Sequence, residues 1–191
     1  MENPSLEIFF HQHVDESVER RRIALSDYGR IYLAKMLSDY AHSDKLFRSY
    51  QFDKITGEGL VPITFQYLSS FNLPYSLKSR KLKELADDCL FLTGFFYDFL
   101  RKGGIGQIKY HYALGSSAYH SLGNLSARKE KTMSALFFEL SDKFIDLSII
   151  IGDLHLPSLK GESLKETYLK WEKTRDPRYL SLLIDVQGGL I

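Results

Sequence analysis

Residues 77–102 read LKSRKLKELADDCLFLTGFFYDFLRK. Leu82, Leu85, Cys89, Leu92, Phe96 and Leu100 recur at steps of three and four and form one apolar stripe of a helix. At about 100° per residue the opposite side carries Asp87, Phe91, Gly94, Phe95 and Asp98, so apolar groups occupy both flanks. A helix apolar nearly all round belongs inside a bundle. The spacing therefore predicts one central helix over about 77–102, with two carboxylates on its second face.

Downstream, after Gly103-Gly104-Ile105-Gly106, the residues Ile105, Ile108, Tyr112, Gly115, Tyr119 and Leu122 keep strict helical steps and predict a helix over 105–123. Met133, Leu136, Phe137, Leu140, Phe144, Leu147 and Ile151 predict another over 128–154, with Ser126 as its cap and Glu139, Asp142 and Asp146 turned outward. Upstream, a first helix is expected from Ser5 to Arg22. A second, capped by Ser26-Asp27, would run to about His42 on a stripe of Tyr28, Ile31, Tyr32, Met36, Leu37 and Tyr40. A looser stretch with Gly57 and Gly59 leads to Pro62, which suits the first turn of a short helix ending near Phe71. Two amphipathic segments are expected around Ser163–Lys173 and Arg178–Val186. The sum is an all-α, single-domain bundle of about six to eight helices.

Composition agrees. The 191 residues suit one domain, and 13 glycines with 5 prolines are too few for a chain of many short strands and turns. With 25 basic and 24 acidic residues the net charge is +1, which gives no electrostatic reason to expect nucleic acid or an anionic membrane. The runs Arg20–Arg22, Lys78–Lys83 and Arg128–Lys131 read as solvated helix ends. The single cysteine, Cys89, fits a reducing, cytoplasmic setting and a buried thiol. The most apolar run, Cys89–Leu100, contains Asp98 and falls short of the ~20 residues of a membrane span.

Chemistry-bearing patterns are sparse. No histidine follows a glutamate by three residues, so the paired Glu-x-x-His of di-metal bundles is missing, and Asp39-x-x-His42 has no second copy. Glu7, His11 and Asp15 share a helix face and read as surface pairing. Gly103–Gly106 matches no phosphate-binding fingerprint and reads as a helix stop followed by a tight connection. His111 and His120 flank the stripe that carries Tyr112 and Tyr119, and each is expected to hydrogen-bond a neighbour. Asp87 and Asp98 stand out, because a buried carboxylate must find donors or a charge partner. Tyrosines and arginines are the candidates for that role. A structural polar network in a tyrosine-rich core is one reading of the pair. A ligand site lined by Asp87, Asp98, Tyr112 and Tyr119, between the central helix and its successor, is the other; no particular cofactor is indicated.

The pattern Asp87-x-x-Leu90-Phe91-x-x-Gly94-Phe95-Phe96-x-Asp98-x-Leu100-Arg101, then Tyr110 and Gly115-x-x-Ala118-Tyr119-x-x-Leu122, with Trp171 and Thr174, resembles an uncharacterised family of all-helical bacterial proteins of about this length. No activity is assigned to that family, so the resemblance implies a helical fold and draws attention to Asp87, Gly94, Asp98, Tyr110, Gly115 and Tyr119. Since no catalytic set is spaced as chemistry requires, the expected function is a non-enzymatic helical module that binds a protein partner or self-associates. A bundle that binds a small molecule or cofactor is the alternative.

Overall fold

In a computed structural model, residues 4–41, 63–155 and 173 are described. Eight α-helices and no strand lie among the described residues: α1 (Pro4–Arg21), α2 (Asp27–Tyr40), α3 (Ile63–Ser70), α4 (Tyr75–Phe95), α5 (Tyr97–Lys102), α6 (Ile105–Ser126), α7 (Lys131–Asp142) and α8 (Phe144–Gly152), followed by a 3-10 turn, Asp153–His155. The architecture is the expected all-α bundle. His42, Gly57, Gly59, Pro62, Trp171, Thr174 and the two C-terminal amphipathic segments, apart from Lys173, lie outside the described residues.

α4 is the centre. From Ala86 to Gly94 every residue except Asp88 is buried, because α6 covers one flank and α8 another. Its interior residues join Val14 and Val18 of α1, Leu33 and Leu37 of α2, Tyr119 and Leu122 of α6, and Phe144, Leu147 and Ile151 of α8 in one main core. Close approach is possible where side chains vanish. A Cβ on Gly94 would stand 2.5 Å from Cβ of Ile151 and 2.8 Å from the Ser148 carbonyl oxygen, and one on Gly115 would stand 2.3 Å from Cζ of Phe144. α8 is thereby seated against both α4 and α6.

Two expected rods are broken. The 77–102 helix stops at Phe95 and restarts at Tyr97, with Phe96 at φ −109°, ψ 29°. In a straight helix Asp98, eleven residues beyond Asp87, would return to within about 20° of the same buried face. The break avoids that second desolvated carboxylate: Asp98 and Phe99 turn outward, while Leu100 joins Leu92 and Ile108 in a small second cluster. Phe91, Phe95 and Phe96 fill the bend, with ring centroids 5.0–6.0 Å apart. The 128–154 helix likewise divides at Lys143, φ −100°, which lets Phe144 reach the notch at Gly115. Ser126 is the last residue of α6 and not a cap; Glu130 precedes α7.

The N-terminal pair follows local rules more closely. Ser26 Oγ accepts the Gly29 N–H at 3.1 Å, the expected cap. The buried face of α2, however, is Gly29, Leu33, Met36, Leu37 and Tyr40, leaving Tyr28 and Ile31 exposed. A Cβ at Gly29 would meet Leu25 and Glu139, so a glycine marks the contact that larger residues had been expected to make. α1 ends in a left-handed residue, Arg22 at φ 54°, with Ile23 N–H bonded to the Val18 carbonyl at 3.0 Å. Gly103 closes α5, and Gly104 at φ 101° turns the chain into α6, so this glycine run is the helix stop and tight connection expected.

Candidate functional site

Asp87 is 5% exposed, and both of its carboxylate oxygens have partners. Oδ1 accepts the Tyr32 hydroxyl at 2.5 Å and the Tyr119 hydroxyl at 2.7 Å, while Oδ2 receives Lys83 Nζ at 2.6 Å. Lys83 sits one turn earlier on α4, so the ion pair is local; Tyr32 comes from α2 and Tyr119 from α6. The ammonium also lies 5.0 Å above the Tyr32 ring. The two tyrosine rings meet edge to face at 6.2 Å, and Phe137 stacks on Tyr119. Burial first, and the neighbouring Asp87 charge second, hold the hydroxyls of Tyr32 and Tyr119 protonated far above the ordinary tyrosine range.

The next carboxylate repeats the theme: Asp88 accepts the Tyr40 hydroxyl, whose ring stacks on Phe91 at 4.6 Å. Burial, reinforced by Asp88, likewise raises the Tyr40 hydroxyl. The Cys89 thiol, buried in the core on the side of α4 that meets Gly115, is raised chiefly by desolvation, which makes it a poor nucleophile.

Of the four residues proposed to line one pocket, the structure brings two into contact. Asp87 and Tyr119 are bonded; Asp98 lies on the exterior of α5; Tyr112 points to α8, 3.3 Å from Ser148 Oγ. Tyr112 borders an open cleft of about 620 Å³ along α6 and the α7–α8 joint, together with Lys109, Ser116, Ser141 and Asp146. There Ser116 and Ser141 satisfy one another, each hydroxyl donating to the other's carbonyl at 3.0–3.1 Å. His111 is buried, with Nδ1 2.7 Å from the Gln107 carbonyl, as a hydrogen-bonded structural histidine should be. His120 is exposed and sets its ring edge against Phe138. His11 pairs with Asp15 at 2.9 Å, the surface i to i+4 contact expected of that face.

A second polar node was not anticipated. Asp153, directly after the apolar end of α8, has a fully buried side chain that accepts Arg20 and Arg21 at 2.7 Å, a second Arg21 nitrogen and the Ser17 hydroxyl. Burial alone would raise its carboxyl. The Arg21 hydrogen bonds and charge, with Ser17 and Arg20, outweigh that and hold it below the usual carboxylate range. Nearby, burial lowers His13, partly offset by a hydrogen bond to the Ile150 carbonyl and by the Asp153 charge; its Nε2 is buried without a partner. The signal in the sequence was an acid closing an apolar run, Ile149–Gly152, which a basic helix end must neutralise.

Among the described residues no group of three or more His, Cys, Asp or Glu side chains is placed to hold a metal ion, and no helix is long and apolar enough to cross a membrane. Comparison with protein-family models, with curated proteins and with solved structures yields no match to this chain.

Proposed function

We propose that this chain is a non-enzymatic cytoplasmic helical module that binds another protein or a second copy of itself. Its two most buried carboxylates are engaged by neighbouring side chains: Asp87 is matched by two tyrosines and a lysine, and Asp153 by two arginines and a serine. The observation that carries the reading lies on the outside. Ile8 and Phe9 on α1, Phe65 and Leu68 on α3, and Phe99 on α5 are each more than half exposed, so large apolar side chains face water at three places.

The test is light scattering of the purified chain combined with photo-cross-linking from positions 8, 65 and 99 in the cells that make it. Adducts to one defined polypeptide, or a mass above that of a single chain, support the reading. A strict monomer without adducts at any of the three positions refutes it. The competing reading, a small-molecule binder, has support in the cleft beside Tyr112; a compound that co-purifies and is lost on Tyr112→Ala would favour it.

A further inference from the structure

The polar ties of α1 to the body of the bundle converge on one short stretch. Ser17, Arg20 and Arg21 reach Asp153, and the His13 ring reaches the carbonyl of Ile150, so the ties meet at residues 150–153. His13 and Ser17 stand one turn apart on the same face. On that face His13 Nε2 is the one buried side-chain nitrogen or oxygen, among the described residues, that has no hydrogen-bond partner. A carbonyl can only accept, so the ring nitrogen facing Ile150 carries the proton of the neutral imidazole and Nε2 is left as a bare lone pair.

A second proton would have to go onto Nε2, where no acceptor waits. The charges around the ring are Glu16 and Arg20 on α1 and Asp153 from the turn after α8, while α8 supplies the Ile150 carbonyl. Arg30 of α2, which also packs on α1, is held by Asp15 at 3.0 Å. Arg20 repels an imidazolium, Glu16 faces water, and Asp153 already accepts four hydrogen bonds, about the capacity of a carboxylate. A charged N–H inside this contact is therefore unanswered, whereas one in water is satisfied at once. The rest of the bundle has its own fastenings: α2 is tied through Tyr32 to Asp87 and through Tyr40 to Asp88, and its cap Ser26 to Glu139.

We infer that α1 is an acid-released arm: uptake of one proton at His13 Nε2 parts it from residues 150–153 while α4, α6 and α8 stay packed. This is independent of the association reading above. An 18-residue helix without tertiary support is marginal in water, so a released α1 gives up its amide protection.

Hydrogen exchange of the full chain followed by mass spectrometry, between about pH 7.5 and 5.5 and corrected for the intrinsic pH dependence of exchange, provides the test. Opening of α1 should grow with acid at the slope of a single proton, at most about tenfold per pH unit, while peptides from α4 and α6 keep their protection. His13→Gln should abolish the response, and His11→Gln, which alters only the surface pair with Asp15, should preserve it. In the wild-type chain the His13 ring resonance should titrate over the same range as the opening, a readout that stands even if His13→Gln fails to fold. Opening of α1 that does not change with pH overturns the inference. So does opening of α1 and α4 together, a response that survives His13→Gln, or one that His11→Gln removes.

Discussion

Replacing Asp87 measures how far the core depends on one carboxylate. In Asp87→Ala the Tyr32 and Tyr119 hydroxyls, now bonded at 2.5 and 2.7 Å, lose their acceptor inside the bundle. Each stranded donor costs about 1–3 kcal/mol, whereas Lys83, with 45% of its side chain exposed, can turn to water at little expense. The expected destabilisation is about 4 kcal/mol, which for a chain of this size lowers the melting temperature by roughly 8–16 °C. Tyr119→Phe alone should cost only about 1–2 kcal/mol, since the carboxylate keeps Tyr32 and Lys83. The triple variant Asp87→Leu/Tyr32→Phe/Tyr119→Phe removes donors and acceptor together and should recover most of the loss. Urea and thermal unfolding followed by circular dichroism give all these values. The reasoning is refuted if Asp87→Ala melts within about 2 °C of the parent, or if the triple variant is no more stable than the single one.

Other outcomes follow from the same geometry. Gly94→Ala should destabilise by about 1–3 kcal/mol despite its better helix propensity, because its methyl would press on Ile151 and the Ser148 carbonyl; Gly106→Ala, with nothing within 4 Å, should stabilise by about 0.5–1 kcal/mol in the same melts. Tyr32, Tyr40 and Tyr119 have raised native pKa values, so the native state holds protons that the unfolded chain gives up above about pH 10, and stability should fall as pH rises from there. Absorbance titration at the phenolate band should show these three of the 12 tyrosines ionising only on unfolding; early ionisation of all 12 would contradict their burial. His13 and Asp153 are both lowered, so the unfolded chain binds more protons and stability should decline on acidification, first below about pH 6.5 for His13 and again below about pH 3.8 for Asp153. His13→Gln should remove the upper step, and Asp153→Ala, which takes the bidentate carboxylate from the buried Arg21, should cost about 3 kcal/mol at neutral pH.

The helices were legible because their apolar residues repeat at three and four, and the enclosure of Ala86–Gly94 followed from apolar groups on both sides of one rod. Asp87 was visible as a charge inside that rod. Its partner Lys83 is implied by i to i+4 spacing, though arginine had been the expected cation, and Tyr119 by its place on the next stripe. The breaks at Phe96 and Lys143 carry no proline and no local stop; they arise where a side chain on another helix must be reached, which periodicity along one segment does not encode. That is why Asp98 was placed beside Asp87 by arithmetic that holds only for a straight helix. Asp153 escaped notice because Arg20 and Arg21 lie more than 130 positions away and looked like an ordinary solvated terminus.

The Asp153 clasp also constrains the order of events during synthesis. Its arginine partner at position 21 emerges 132 residues before the carboxylate does. At roughly 5–20 residues per second, that interval lasts about 7–26 s, far longer than a helix needs to form. Throughout it the nascent α1 presents Arg20 and Arg21 without the carboxylate that joins them in the folded chain. Final docking of the amino-terminal hairpin is thus a late step, timed by translation rather than by diffusion.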